Sequence, residues 1–145
     1  MGKITPFLWF DGQLEQAVKF YTSVFKDSHV VSINPMTASF VLEGQEFMGL
    51  NAGPMFKFNE AVSFFVKCET QEDVDYYWSA LTADGGSEGQ CAWLKDKFGL
   101  SWQIVPTTLG RYLGDADRAK ANRVMQAMMK MKKIVIADLD AAAAG

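Results

Sequence analysis

Two stretches, LEQAVKFY (14–21) and VDYYWSAL (74–81), carry the same helical stripe. Leu14, Ala17, Val18 and Tyr21 in the first, and Val74, Tyr77, Trp78 and Leu81 in the second, fall at i, i+3, i+4 and i+7. That spacing sets four apolar side chains on one face of a helix. The copies begin sixty residues apart, each just after an apolar run of strand type and ahead of further strands. The pattern is an internal duplication of a strand–helix–strands unit. Two such units related by a pseudo-twofold axis would share a concave surface, the expected seat of function.

Working outward, ITPFLWF (4–10) reads as a buried strand, Asp11–Gly12 as a turn that caps the first helix, and Gln13 to Phe25 as that helix. His29 to Ile33, Ser39 to Glu43 and Glu46 to Asn51 read as strands, the last two joined by a turn at Glu43–Gly44–Gln45. Residues 52–60 read as a linker punctuated by Gly53–Pro54. Ala61 to Cys68 opens the second half, Thr70 with Asp73 forms a capping box for the second helix, and Gly85–Gly86 ends it. Cys91 to Asp96 and Leu100 to Val105 read as strands around a Lys97–Phe98–Gly99 turn, and Ser87–Gln90 is too short to assign. After Pro106 a third helix is expected, capped by Asp115 and reaching Met131, with Ala121, Val124, Met125, Met128 and Met129 as its stripe. The expected class is α+β. Two βαβββ modules, 1–54 and 55–110, are followed by a helical extension, 111–145, all in one domain.

Bulk composition limits the function. The chain has 145 residues, 49% apolar and 13% aromatic, which suffices for a large core. A net charge of −3 argues against a nucleic-acid partner, and the Lys130, Lys132, Lys133 cluster reads as cations at a helix C-terminus. No apolar run approaches the roughly 18 residues that span a bilayer. No secretory signal is legible. Cys68 and Cys91 do not make a disulfide framework, so a reduced, cytoplasmic setting is expected.

The stretches PFLWFDGQLEQAVKFYTSVF (6–25), LNAGPMFKFNEAVSF (50–64), TQEDVDYYW (70–78), WLKDKFGLSWQIVP (93–106) and RVMQAMMKMKKIVIA (123–137) resemble the PhnB-like branch of the vicinal oxygen chelate superfamily. This is the glyoxalase and bleomycin-resistance group, and the branch often carries the label 3-demethylubiquinone-9 3-methyltransferase. The resemblance covers nearly the whole chain. It implies glyoxalase-like paired βαβββ modules and, commonly, a homodimer.

The superfamily's usual chemistry uses a divalent metal held by two residues from each module. Counting from the motifs, those slots fall at Pro6, near Asn51, at Ala61 or Ser63, and at Gln103. The set holds no imidazole and no carboxylate, and neutral amide and hydroxyl oxygens are a poor cage for a transition metal. The sole histidine, His29, lies away from the slots. No metal and no cofactor are expected. The methyltransferase label implies S-adenosylmethionine, but neither Gly49–Gly53 nor Asp84–Gly89 has the strand–turn–helix setting of a nucleotide-type loop.

Strand alternation then nominates the site. Gln103 and Asn51 read either as ligand-binding amides in an apolar wall or as amides that satisfy strand ends. Ser63 and Phe65 would share their face, with Leu8 and Phe10 on the first strand. A register error of one residue would reverse each strand's assignment. Glu60 is the candidate general base, and Asp96 reads more readily as a turn former. The expected function is binding of an unidentified small molecule in a metal-free cup. Two alternatives stand beside it. One is an enzyme of the same fold, a methyltransferase, lyase or isomerase acting on a small hydrophobic or aromatic substrate. The other is a protein-interaction module using the methionine-rich third helix, which also suits a homodimer contact.

Overall fold

The computed structural model describes residues 2–145. Their contacts divide into two compact units, one ending at Phe58 and one spanning Asn59–Gly145. The first contains β1 (Phe7–Phe10), α1 (Leu14–Val24), β2 (Ser28–Ile33), β3 (Thr37–Leu42) and β4 (Gln45–Asn51). The second begins with β5 (Ser63–Cys68), α2 (Gln71–Thr82), β6 (Ser87–Glu88), β7 (Trp93–Lys95) and β8 (Ser101–Pro106). The sheet orders are β1-β4-β3-β2 and β5-β8-β7-β6. In both, the first and last strands of the module run parallel and the other neighbours antiparallel. The duplication read from the helical stripes is therefore a duplication of topology.

In the first unit the stripe of α1 is the core. Leu14, Ala17, Val18 and Tyr21 are buried against the sheet, where Tyr21 stacks on Phe40 and Phe40 on Phe47. Gly49 gives α1 room, since a Cβ there would stand 2.8 Å from the Leu14 side chain. The β3–β4 hairpin turns through Glu43 and Gly44, at φ 48° and 82°, the left-handed pair that a two-residue turn requires. The cap of α1 differs from expectation. Gln13 occupies the cap position without a side-chain bond, and the Leu14 N–H donates instead to Asn51 Oδ1 at 3.0 Å. Gly12, at φ 75°, makes the turn; Asp11 does not cap.

In the second unit Val74, Trp78 and Leu81 bury α2 on Leu94, Trp102 and Ile104. Thr70 caps α2 as the sequence predicts, accepting from the Asp73 N–H. The β7–β8 turn is organised by one buried carboxylate. Asp96 accepts from the Phe98 N–H at 2.8 Å, the Leu100 N–H at 3.1 Å and the Trp102 indole at 2.9 Å. The short strand left unassigned is β6, two residues paired with β7.

The region after β8 holds three helices, α3 (Thr107–Leu113), α4 (Arg118–Met128) and α5 (Ile136–Ala144), where the sequence reads as one helix and an Ala-rich tail from Asp138 that either adds a last helical turn or frays. Asp115 does not cap. It closes the α3–α4 turn by accepting from the Asp117 N–H, and Asp117 caps α4 through the Lys120 N–H. Of the expected stripe, Ala121 and Val124 are buried while Met125 and Met129 are exposed. These helices belong to the core of the second unit. Val105, Leu109, Val124, Ile134 and Leu139 form one apolar cluster. The Gln71 side chain bonds both the Ile134 carbonyl and the Ile136 N–H.

Asp96→Ala removes one buried acceptor and strands three donors. It should destabilise the protein by about 3 kcal/mol, against about 1 kcal/mol for loss of the exposed Thr70 cap, measured by urea unfolding.

Candidate ligand-binding site

Alternation on the second sheet separates two faces. Trp102, Ile104 and Leu94 lie under α2. Ser63, Phe65, Ser101 and Gln103 therefore share the opposite face, where register pairs Phe65 with Gln103 and Gln103 with Trp93. Gln103 Nε2 donates to Ser63 Oγ at 2.9 Å, and Phe65 beside them is 56% exposed. The structure thus brings three of the sequence-nominated residues together. Val105, next on that face, is taken into the C-terminal cluster.

The first strand has the other register. Leu8 and Phe10 are buried under α1 beside Gly49, so they are core residues and not cup residues. Phe7 and Trp9 occupy the face assigned to them. Trp9 donates its indole N–H to the Gly53 carbonyl and meets Phe56 edge-on. Asn51 pairs with Phe10 and shares its face. Its oxygen caps α1, and its nitrogen donates to the Pro35 carbonyl at 3.0 Å. Both amide atoms are engaged in holding the first unit together.

Glu60 forms an ion pair with Lys95. The hydrogen bond and charge of Lys95 hold its carboxyl below the ordinary range. A general base working near neutrality needs the opposite shift. Asp96 is the turn former described above. Alternation from Gln103 sets Ser101 on the cup face, and Trp93 reads from the sequence as core; with Lys95 and Glu60 both line a cleft of about 230 Å³. The Lys95–Glu60 pairing has no signal in the sequence.

Among the described residues no group of three or more His, Cys, Asp or Glu is placed to hold a metal ion. His29 is exposed on the edge strand β2. Cys68 is buried, and burial pushes its thiol up to about 12, with the nearby Asp73 and Glu69 charges adding to the shift. Cys91 is half-exposed in a turn where it and Ala92 adopt φ 57° and 78°. Nothing in the structure makes Cys68 a nucleophile.

The repeated four-stranded βαβββ sheets define a glyoxalase-like, vicinal oxygen chelate fold. The chain belongs to the 3-demethylubiquinone-9 3-methyltransferase family, which it matches over residues 2–105, within the PhnB-like branch of that superfamily. It is similar to a PhnB protein of Bacillus cereus that carries the same methyltransferase name provisionally. The two are 36% identical with a TM-score of 0.66, over 72% of this chain and 99% of that one. Two more distant structures share the fold alone. The fosfomycin resistance protein FosX of Listeria monocytogenes, in complex with Mn(II) and sulfate, is 11% identical with a TM-score of 0.56, over 73% of this chain and 90% of that one. A glyoxalase/bleomycin resistance protein of Albidiferax ferrireducens is 16% identical with a TM-score of 0.53, over 72% and 98%. No curated protein matches the chain. No helix among the described residues is long and apolar enough to cross a membrane.

A thiol reagent should modify Cys91 alone in the native protein and both cysteines after unfolding. Rapid native labelling of Cys68 in a mass-spectrometric count would contradict the buried, high-pKa thiol.

Proposed function

We propose that this chain is a small-molecule-binding protein that uses the sheet face carrying Ser63, Phe65 and Gln103, and that it works without the superfamily's divalent metal. The observation that carries the reading is the Gln103–Ser63 hydrogen bond beside an exposed aromatic ring. With Nε2 on Ser63, Gln103 keeps its carbonyl for a donor and Ser63 keeps its hydroxyl proton for an acceptor. Neutral polar groups set in an apolar wall are the usual composition of a ligand site.

The donor set supports a metal-free site. Pro6 has no side-chain donor, Asn51 is committed to the Leu14 N–H and the Pro35 carbonyl, and Ser63 with Gln103 offers only a hydroxyl and an amide. Such oxygens hold borderline transition metals weakly. The family name implies a methyl donor, but the strand-to-helix junctions do not suit one. The β1–α1 junction has the single Gly12, the β5–α2 junction has no glycine, and protein side chains already cap both helices.

One-ring aromatic fragments titrated against the labelled protein should shift the amide resonances of Ser63, Phe65 and Gln103. Gln103→Ala should weaken carboxamide-bearing fragments, which pair with both the Gln103 carbonyl and the Ser63 hydroxyl, about five- to tenfold with little loss of stability. Elemental analysis of protein purified without chelators or affinity metals should show no stoichiometric metal. A stoichiometric ion, or methyl transfer from S-adenosylmethionine, would overturn the reading in favour of an enzyme.

The working state we propose is the homodimer that the family implies. Large apolar side chains at Phe7, Val31, Met36 and Met48 are exposed in the single chain, and a second copy would cover such surface. Light scattering should give twice the chain mass; a monomer at micromolar concentration would count against it.

A further inference from the structure

Ser101 is fully buried, at 0% exposure. Its hydroxyl is the one buried side-chain polar atom among the described residues without a hydrogen bond. Buried polar groups are nearly always partnered, so an orphan marks a place where a partner is missing. Register sets its surroundings. Ser63, Ser101, Lys95 and Ser87 are neighbours across β5, β8, β7 and β6, and they form one row on the face opposite α2. The Lys95–Glu60 ion pair joins β7 to the segment leading into β5, so it crosses β8 at the level of Ser101. The cleft of about 230 Å³ lies here, with the half-buried Trp93 as its aromatic wall.

We propose that this cleft is a ligand subsite for a neutral hydroxyl on a flat apolar body, with the hydroxyl bonded to Ser101 and the ring laid against Trp93. The proposal rests on the small-molecule reading above and names the chemistry of the ligand. A drug-sized pocket runs to about 300–1,000 Å³, so this cleft takes one ring or one end of a larger molecule. Charge selects against ions. An anion would meet Glu60 and Glu88 in the lining. A cation would compete with Lys95, which already holds the Glu60 carboxylate. Glu88 is itself engaged by the Trp78 indole at 2.6 Å. A hydroxyl both donates and accepts, as Ser101 does, and so can complete the orphan without adding a charge, the Lys95 side chain shifting to uncover the buried Oγ.

The experiment compares phenol, toluene, benzoate and benzylamine by NMR titration of the full chain and of Ser101→Ala and Gln103→Ala. Phenol should bind about tenfold more tightly than the other three and shift the Trp93 indole resonance. Ser101→Ala should erase the advantage of phenol over toluene, while Gln103→Ala should leave that ratio unchanged. The ligand-free Ser101→Ala protein should also melt at a higher temperature than the parent, because an unpartnered buried hydroxyl has been removed. Benzoate or benzylamine binding as tightly as phenol, or an unchanged phenol-to-toluene ratio in Ser101→Ala, would overturn the subsite and leave the broader reading standing. Failure of all four probes to shift any residue on this face would overturn both.

Discussion

Each four-stranded sheet is buried on one face by a single amphipathic helix, and the two-residue alternation of its strands does the rest. Once Tyr21 and Phe40 are stacked under α1, and Trp102 and Ile104 lie under α2, every other side chain on those strands is committed to a face. The second unit adds a pin at the end of the sheet. Asp96 binds the backbone of its turn and the indole of Trp102, tying strand register to core packing. With Trp102 fixed, Ser101 and Gln103 have to point the other way.

That constraint sets which side chains the second sheet presents away from α2. Its outward face combines neutral polar groups, an exposed phenylalanine, and an ion pair over an unpartnered hydroxyl. The corresponding face of the first sheet differs: it carries Phe7 and Trp9 on β1, and on the later strands Ser39, Glu46 and His29. The amide nearest to it, Asn51, is turned under α1 and serves as that helix's cap. Two modules with one topology have thus diverged in the use of their last strands: the β4 amide of Asn51 caps α1, and the β8 amide of Gln103 bonds Ser63 on the face away from α2.

The C-terminal helices extend the chain past the 2–105 span of the family match. They are nonetheless built into the second unit, through the apolar cluster around Val124 and Ile134 and the paired bonds of Gln71. By taking Val105 into that cluster they close one end of the outward face of β8 and leave Ser101 and Gln103 as its polar portion.

The i, i+3, i+4, i+7 stripes, the Thr70 cap and the Glu43–Gly44 turn were legible in the sequence because each depends on residues within a turn or two of one another. The duplication followed from them, and so did the grouping of Ser63, Phe65 and Gln103, which needs only alternation and one correct anchor. The first strand was misread because FLWF is apolar throughout, and a run without polar residues carries no phase. Only packing against Leu14 and Gly49 sets Leu8 and Phe10 inward. Asn51 as a cap for α1 and the Lys95–Glu60 pair over Ser101 each join groups far apart in the chain. Local periodicity therefore determined the two strand–helix–strands modules. Tertiary packing decided which polar groups hold them together, because a side chain's partner across a sheet or at a helix end is fixed by register and not by spacing along the chain.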